Sequence, residues 1–503
     1  MKTKLTVALM GVFLFASSSF AQFKYQGSAA PATVAEGFNF TEIESADAYM
    51  DLNTVGTSDQ IIDGVRYIEG TWESGQYRSI TGLDGTSPLK TITLSNTFRF
   101  IAPANGTGPL NLMVIGVHGG NLSANDATYK QLALNGTAVF LHGSDNVTGA
   151  DHDATELGMI DRSDMVQQGL LDLQNRNASS FNDIQISNYG YALARTQMLA
   201  ITLGKAVVSY IGRSTGDIAL HGESKEGGST WLACAVDTRI DVCAPGKMSR
   251  FTANSFNYFE WNSGCGPWNG PTTKQYIPWL LETRDWHASA PGQAAKSAML
   301  VDNYKTQLKA PFYYISGDCG YPGLHDANQG TMGMEDAFLD GFTNKDWRYN
   351  RNCSDENETG SKLNQFEAIA GILNGGNKGP EVVDTLYYVP NGNIFAEIDT
   401  AGNDGLIDNV YAYWATSPTR EFNNAGQAAW TKVAMEFVQT QPSGLLLYRT
   451  PSSINWEESH MKAFYVQTEK TFTAGGVTWK RRSTSSMTQR DEFAYENCPG
   501  PPY

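Results

Sequence analysis

The feature that most constrains the fold of this chain is a serine with a glycine on either side. It lies between a short apolar run and an apolar helical pattern. Residues 217–236 read Asp-Ile-Ala-Leu-His-Gly-Glu-Ser-Lys-Glu-Gly-Gly-Ser-Thr-Trp-Leu-Ala-Cys-Ala-Val. The first residues have the pattern of a buried strand, and the last ones that of a buried helix. A sharp turn between the two brings backbone and helix close together, which Gly222 and Gly227 permit. We therefore predict a strand, a tight turn at Ser224 and a helix.

The pattern Gly-x-Ser-x-x-Gly resembles a nucleophile elbow, the turn that holds a serine hydroxyl above a parallel sheet. The usual elbow has its second glycine two residues after the serine, and here the spacing is three. In an elbow the backbone N–H of the next residue, Lys225, helps to bind an oxyanion. The alternative is an ordinary strand-to-helix turn, in which Lys225 is only a solvated surface residue.

A glycine pair follows the first strand that is apolar on both faces. Residues 110–117 read Leu-Asn-Leu-Met-Val-Ile-Gly-Val, and His118, Gly119 and Gly120 come next. In α/β-hydrolases a glycine-rich loop at this place donates the second oxyanion N–H, which here is assigned to Gly120 or to Gly119. A plain glycine turn between strand and helix is the alternative.

Alternating strand and helix patterns predict the α/β class, with a mostly parallel sheet, helices on both faces, an aromatic-rich cap and a small β-rich C-terminal module. A long amphipathic helix is predicted over residues 191–210. Further buried strands are predicted at 137–142, 240–245, 311–318 and 385–391, and antiparallel strands that begin the sheet at 65–68 and 91–94.

The predicted domain organisation has four parts. Residues 1–21 have the basic start, apolar run and small-residue cleavage site of a secretory signal peptide, which predicts a secreted or extracytoplasmic protein. Residues 22–105 form an N-terminal extension with the first strands, 106–440 the α/β-hydrolase-like domain with a cap at about 250–300, and 441–503 the β-rich module.

Composition narrows the function classes. The net charge of −16 argues against nucleic-acid partners and anionic membrane surfaces. No later run approaches the length of a membrane span. The six cysteines allow up to three disulfides in an oxidising compartment and match no zinc pattern. We predict no metal and no cofactor, since residues 399–408 only faintly resemble a calcium loop. Sequons for N-glycosylation begin at Asn39, Asn105, Asn121, Asn135, Asn146, Asn177, Asn352 and Asn357.

The turn at Ser224 and the residues after it resemble those of the PhoPQ-activated pathogenicity-related proteins, an exported α/β-hydrolase-like family. The family motif Gly-Ala-Ser-Lys-Arg-Gly-Trp-Thr-Thr-Trp-Leu, followed by Ala-Val-Asp-x-Arg-Val, is matched here by residues 222–232 and 235–240. Weaker similarities extend over residues 110–395. The resemblance implies hydrolase ancestry and leaves the substrate open.

The resemblance implies a Ser, Asp, His triad with Ser224 as nucleophile and Asp318 as the acid. The family places its histidine shortly after a Val-Pro-Asn run, but residues 392–395 after the equivalent run contain none. The candidates are His460, which preserves the chain order, and His325, which lies close after the acid. A serine without a base is a poor nucleophile near neutral pH.

Three functions are consistent with these features. The first is a secreted serine hydrolase that cleaves an ester or amide bond. The second is a hydrolase-fold protein that has lost its base and acts as a secreted binding or signalling factor, as the missing histidine and the acidic Glu226 suggest. The third is a carbohydrate-binding protein that uses the aromatic residues of the cap. The sequence determines neither the substrate nor the oligomeric state.

Overall fold

A computed structural model gives the architecture of the chain. It describes residues 34–46, 50–51, 59–79, 90–117, 122–143 except 124, 189–246 except 224, 312–316, 345–350, 358–375, 380–400 except 389, 407–417, 430–454, 461–485 except 475, and 488–490. The predicted signal peptide and the predicted cap at 250–300 lie outside these residues.

A ten-stranded mixed sheet forms the centre of the molecule. Its strands are β1 (Met50–Asp51), β2 (Asp59–Ile62), β3 (Val65–Ser79), β4 (Lys90–Pro103), β5 (Leu110–Val117), β6 (Thr137–Gly143), β7 (Thr215–Glu223), β8 (Val242–Gly246), β9 (Phe312–Ser316) and β10 (Lys345–Asn350). They lie in the order β1-β3-β4-β6-β5-β7-β8-β9-β10, with β2 paired to β3. The pairs from β6 through β10 are parallel, and β3 and β4 are antiparallel to their neighbours.

Six described helices accompany the strands, and the longer ones cover both faces of the sheet. They are α1 (Val34–Gly37), α2 (Phe40–Ser45), α3 (Asp126–Leu134), α4 (Tyr189–Tyr210), α5 (Lys225–Val236) and α6 (Glu358–Gly375). Side chains of α2, α4 and α5 pack with Leu112 and Leu220 on one face. Side chains of α3 and α6 pack with Met113 and Ala219 on the other. Neighbouring strand residues therefore alternate between two cores, as strands buried on both faces require.

The predicted elements of the main sheet are confirmed, except for the strand predicted at 385–391. The strand predicted at 110–117 is β5, the strand at 137–142 lies within β6, and the helix at 191–210 lies within α4. The antiparallel pair predicted at the start of the sheet is β3 with β4.

The strand predicted at 385–391 is not part of the main sheet. Most of that run lies in β11 (Glu381–Tyr388), which pairs with β12 (Asn393–Asp399) in a separate four-stranded sheet. The last strand of the main sheet is β10. Leu386 and Tyr388 are 54% and 46% exposed, because β11 is the end strand of its sheet and one of its faces is solvated.

The remaining strands complete two antiparallel sheets. They are β13 (Asn409–Ser417), β14 (Thr431–Ala434), β15 (Glu436–Thr440), β16 (Leu446–Arg449), β17 (Met461–Ala474), β18 (Val477–Thr484) and β19 (Thr488–Arg490). One sheet has the order β11-β12-β16-β15, and the other has β14-β13-β17-β18 with β19 on β17. Ile394 and Ile398 of the first sheet pack with Val410 and Phe464 of the second. This β-rich region begins at Glu381, earlier than the predicted module start at 441.

Helix α6 connects the two parts of the structure. Its residues Phe366 and Ile369 share a core with Leu132 of α3 and Trp479 of β18. Near its C-terminal end, the Asn374 side chain donates a hydrogen bond of 2.9 Å to the Thr137 hydroxyl of β6. The sequence patterns did not reveal this helix, nor β10 before it.

The Asp-x-Arg part of the motif is structural. The Arg239 guanidinium pairs with the buried Asp237 carboxylate at 2.5 Å. It also donates to the Thr202 hydroxyl and to the Met198 carbonyl of α4, each at 2.8 Å. These bonds fix the end of α5 against α4, so the motif maintains the position of the helix that follows Ser224.

A disulfide joins Cys234 of α5 to Cys243 of β8, with nine residues of sequence separation. Both cysteines are buried in the core that α4 and α5 form with the main sheet. We expect the Cys234→Ala/Cys243→Ala variant to lose about 2.5 kcal/mol of unfolding free energy, because the cross-link restricts the unfolded chain. Urea denaturation of the variant, compared with the oxidised and the reduced wild type, measures this loss of unfolding free energy. A variant as stable as the oxidised protein would contradict the expectation.

Candidate active site

Gly222 and Gly227 lie on either side of the turn between β7 and α5, and neither position has room for a side chain. A Cβ atom on Gly222 would lie 2.7 Å from the Glu226 carbonyl oxygen and from the Thr230 hydroxyl. On Gly227 it would lie 1.9 Å from the Gly246 carbonyl oxygen. Both distances are shorter than van der Waals contact allows, so both positions require glycine. The predicted close approach of strand and helix is confirmed.

The turn lies at the carboxyl edge of the parallel strands. Strand β7 pairs in parallel with β5 on one side and with β8 on the other, so its end is central in the sheet. Ser224 comes directly after Glu223, the last residue of β7, and directly before Lys225, the first residue of α5. Ser224 itself lies outside the described residues. In open α/β sheets, ligands bind at this edge.

Lys225 occupies the first position of α5. The first backbone N–H groups of a helix have no partner within the helix, and the helix dipole makes this end attractive to negative charge. The Lys225 N–H is therefore suited to the oxyanion role predicted for it. Gly119 and Gly120 lie outside the described residues, two and three positions after the end of β5 in the sequence.

Glu226 forms a buried polar network behind the turn. It lies in the first turn of α5 and is completely buried. The Gln197 side-chain amide of α4 donates to the Glu226 carboxylate at 2.7 Å and to its backbone carbonyl at 3.0 Å. The Thr230 hydroxyl lies 3.2 Å from the Gln197 amide oxygen and 2.8 Å from the Glu226 carbonyl. The network thus ties the start of α5 to α4.

The same carboxylate contacts strand β5. A Cβ atom on Gly116 would lie 2.8 Å from the Glu226 carboxylate, so a larger residue there would have to displace the end of that side chain. Gly116 is two residues before the loop that holds His118, Gly119 and Gly120. The Glu226 side chain therefore lies between the start of α5 and the strand that leads to the predicted oxyanion loop. No sequence signal indicated this role, because an acid in a first helical turn usually faces solvent.

We expect Glu226→Ala to lower the unfolding free energy by about 3 kcal/mol. The substitution leaves a cavity and removes the acceptor of the buried Gln197 amide. Glu226→Gln is the matched control, since its carboxamide oxygen still accepts, and we expect it to lose about 1 kcal/mol. Urea denaturation measures both. Equal losses would show that the hydrogen bond to Gln197 has no part in the effect.

His221 lies on the opposite face of β7 from α5. It is 1% exposed, its Nδ1 lies 2.6 Å from the Ala244 carbonyl oxygen, and its ring packs edge-on against Phe366 at 5.3 Å. Its Nε2 lies 3.9 Å from the Glu223 carboxylate. These contacts make His221 a buried structural histidine.

His142 is a neutral core residue at the end of β6. It is completely buried, and neither ring nitrogen has a hydrogen-bond partner among the described residues. Burial lowers its pKa to about 3. The ring stacks edge-on with Trp72 at 6.4 Å. Because complete burial disfavours the protonated ring and separates it from solvent, His142 is unsuited to accept a proton as a general base.

Burial of His142 predicts a loss of stability in acid. Below pH 6.5 the unfolded chain protonates this imidazole, whereas the folded protein leaves it neutral down to about pH 3. The unfolded state therefore binds the extra proton, and stability falls as the pH falls through this window. When the pH falls from 6.5 to 4.5, we expect the unfolding free energy of the wild type to decrease by about 2–3 kcal/mol more than that of His142→Leu. Parallel pH dependences of the two proteins would contradict this assignment.

The remaining predicted site residues, Asp318, His325 and His460, lie outside the described residues. Asp318 follows β9 by two positions. Between the end of β10 and the start of α6 the sequence is Arg-Asn-Cys-Ser-Asp-Glu-Asn, which has no histidine. The roles of these three residues stay predictions.

The described residues contain neither a metal cluster nor a membrane helix. No group of three or more His, Cys, Asp or Glu side chains in the described ranges is arranged to hold a metal ion. None of the described helices combines the length and hydropathy needed to cross a membrane.

The chain is similar to several solved esterase structures at low identity. Acetyl xylan esterase from Paenibacillus sp. R4 is 14% identical, covers 65% of this chain and 90% of its own, and has a TM-score of 0.37. Acetyl xylan esterase 1 from Thermoanaerobacterium sp. is 12% identical, with coverages of 69% and 96% and a TM-score of 0.40. The rice cell wall degrading esterase LipA from Xanthomonas oryzae is 11% identical, with coverages of 61% and 89% and a TM-score of 0.32.

Neither a protein-family model nor a curated protein sequence matches the chain. The strand order of the main sheet and the turn after β7 determine its class. The fold is α/β-hydrolase-like. The resemblance to the PhoPQ-activated family remains a similarity of motifs around residues 222–240.

Proposed function

We propose that this protein is a secreted serine hydrolase that cleaves an ester or amide bond. The observation that carries the proposal is the turn after β7, where Gly222 and Gly227 bring strand and helix into contact on either side of Ser224. A turn of this kind presents a serine at the carboxyl edge of the sheet, which is where α/β-hydrolases perform catalysis.

The proposed reaction has two steps. The Ser224 hydroxyl attacks the substrate carbonyl and gives its proton to a histidine, for which His460 and His325 are the candidates. The backbone N–H groups of Lys225 and of Gly120 or Gly119 bind the oxyanion. Asp318 orients the histidine, which protonates the leaving group. Water then cleaves the acyl-enzyme and releases the acid.

A fluorophosphonate probe tests the nucleophile directly. The phosphonyl group should be found on Ser224 by peptide mass spectrometry, and the label should be absent from the Ser224→Ala protein. The His460→Ala and His325→Ala variants then identify the base, because only loss of the true base should slow labelling. Failure to label Ser224 in folded protein would overturn the proposal.

A second candidate is a non-catalytic hydrolase-fold protein that acts as a secreted binding or signalling factor. The observation in its favour is that no histidine occurs between Asp326 and Ser459, so the segment that runs from β10 to the start of β17 contains no histidine base apart from His460 at its very end. Turnover of simple acyl esters that depends on Ser224 would exclude this candidate.

Secretion is part of the proposal. It is supported by the signal-peptide pattern in residues 1–21 and is compatible with the disulfide between Cys234 and Cys243. Sequencing the N-terminus of exported protein tests it, with Gln22 as the expected first residue. Retention of residues 1–21 in the exported protein would contradict cleavage at this site.

A further inference from the structure

The outer face of the four-stranded sheet carries an apolar groove. Along β12 the inward residues Ile394, Ala396 and Ile398 are buried in the core of the β-rich region. The alternate residues face outward and form a groove of about 330 Å³. Leu386, Phe395 and Leu447 belong to its apolar lining, and Asp384, Glu397 and Gln441 to its polar lining. This volume is at the lower end of the range for ligand sites.

Aromatic and aliphatic side chains form the apolar part of the groove. Phe395 lies opposite Leu386 in the strand register, and its ring meets that of Tyr388 edge-on with centroids 6.3 Å apart. Leu386 is more than half exposed. Large apolar side chains exposed together on one sheet face are typical of interaction sites.

Two acids face each other across the same groove. Asp384 and Glu397 are directly opposed partners in the pairing of β11 with β12. Like charges at opposed positions destabilise a sheet. The Asp384 carboxylate accepts a hydrogen bond from the backbone N–H of Thr385, and the Glu397 carboxylate accepts one from the Gln441 side-chain amide at 2.9 Å. Neither carboxylate forms an ion pair with a basic side chain in the described part of the chain. A bound cation would remove this repulsion.

We infer that the groove binds a lysine or arginine side chain of a partner polypeptide. The aliphatic stem of such a side chain would pack on Leu386, Phe395 and Leu447, as long basic side chains do on apolar surfaces. The cationic group would lie between the Asp384 and Glu397 carboxylates, next to the aromatic pair. The paired negative charges disfavour an anionic ligand between Asp384 and Glu397, although Arg449 lies opposite Phe395 on the same face, and a neutral sugar would leave their repulsion in place. The inference is independent of the proposed hydrolase activity.

Fluorescence anisotropy with a defined peptide tests the groove. The probe is a fluorescein-labelled nonapeptide with three lysines spaced by alanines, and its control replaces each lysine with norleucine. We expect the lysine peptide to bind and the norleucine peptide to bind at least about tenfold more weakly, since the latter keeps the stem and lacks the charge. Equal binding of both peptides would overturn the inference.

Paired variants distinguish the groove from the general negative charge of the protein. Asp384→Asn/Glu397→Gln should weaken binding about tenfold. The charge-matched control Glu44→Gln/Asp217→Asn changes two exposed acids far from the groove in sequence and should change binding less than about twofold. Leu386→Ser keeps all charges and should also weaken binding. Equal weakening by the two double variants would show nonspecific attraction and overturn the inference.

Thermal unfolding and a sugar probe complete the test. Since each groove substitution removes one of two opposed charges, the double variant should unfold at the same or a higher temperature than wild type. Loss of peptide binding in a folded protein then reports on the groove itself. If the groove variants abolish binding of xylohexaose and leave peptide binding unchanged, the groove is a saccharide site and the inference is wrong.

Discussion

Replacing Ser224 with alanine is expected to reduce kcat/KM on p-nitrophenyl acetate by about a thousandfold or more. Loss of a catalytic serine removes the covalent route and leaves only binding and oxyanion stabilisation. The substitution deletes one hydroxyl at a turn whose shape is set by Gly222 and Gly227, so the unfolding temperature should stay within a few degrees of wild type. Steady-state kinetics with purified protein measures the effect.

Ser209→Ala is the matched control. Ser209 is an exposed serine near the end of α4, so its removal should leave both kinetics and stability unchanged. If wild type and Ser224→Ala hydrolyse the ester equally fast, Ser224 is not the nucleophile. If neither protein exceeds the uncatalysed rate, the non-catalytic candidate is favoured.

Replacing Gly227 with alanine is expected to destabilise the fold by about 3 kcal/mol or more. The added methyl group would lie 1.9 Å from the Gly246 carbonyl oxygen, which is backbone of β8 and cannot rotate away. Strand and helix must therefore separate, and overpacking in a well-packed core has this cost. Urea denaturation measures the loss, and it is expected whether or not the protein is an enzyme.

Gly371→Ala is the control for this substitution. Gly371 also lies in a helix, α6, but its added methyl group would meet the Phe472 ring at 3.3 Å, a side chain that can shift. Alanine also favours the helix by up to about 1 kcal/mol over glycine. We expect a change of at most about 1 kcal/mol in either direction. Similar losses at Gly227 and Gly371 would show that the turn has no special demand for glycine.

The central strands of the main sheet were predictable from the sequence because they are buried on both faces. The run at 110–117 is almost continuously apolar, and the structure has β5 over the same residues. The order of the strands was beyond prediction, since it depends on crossover connections that bring distant segments together. In the sheet, β5 lies between β6 and β7, which are far apart in the sequence.

Prediction failed where the local pattern is ambiguous. The apolar run at 385–391 is rich in aromatic and β-branched residues, such as Tyr387, Tyr388 and Val389. Such residues suit an end strand of an antiparallel sheet as well as a buried parallel strand. Helix α6 was missed because its apolar residues follow a polar start, Glu-Thr-Gly-Ser-Lys, which reads as a loop.

The candidate site was predictable only in part. The glycine requirement at 222 and 227 follows from the tightness of the turn, and the structure confirms it. The buried position of Glu226 depends on Gln197 and Gly116, which are on other elements, so no local pattern could indicate it. The base and the acid stay predictions from chain order.

The position of helix α6 has a consequence for how the protein unfolds. Because Leu132 of α3 and Trp479 of β18 share one core with residues of this helix, neither the parallel sheet nor the paired antiparallel sheets can be detached without exposing an apolar surface to water. The two halves should accordingly unfold in a single step, and a protease that removes the C-terminal strands should also unfold the half that contains the parallel sheet.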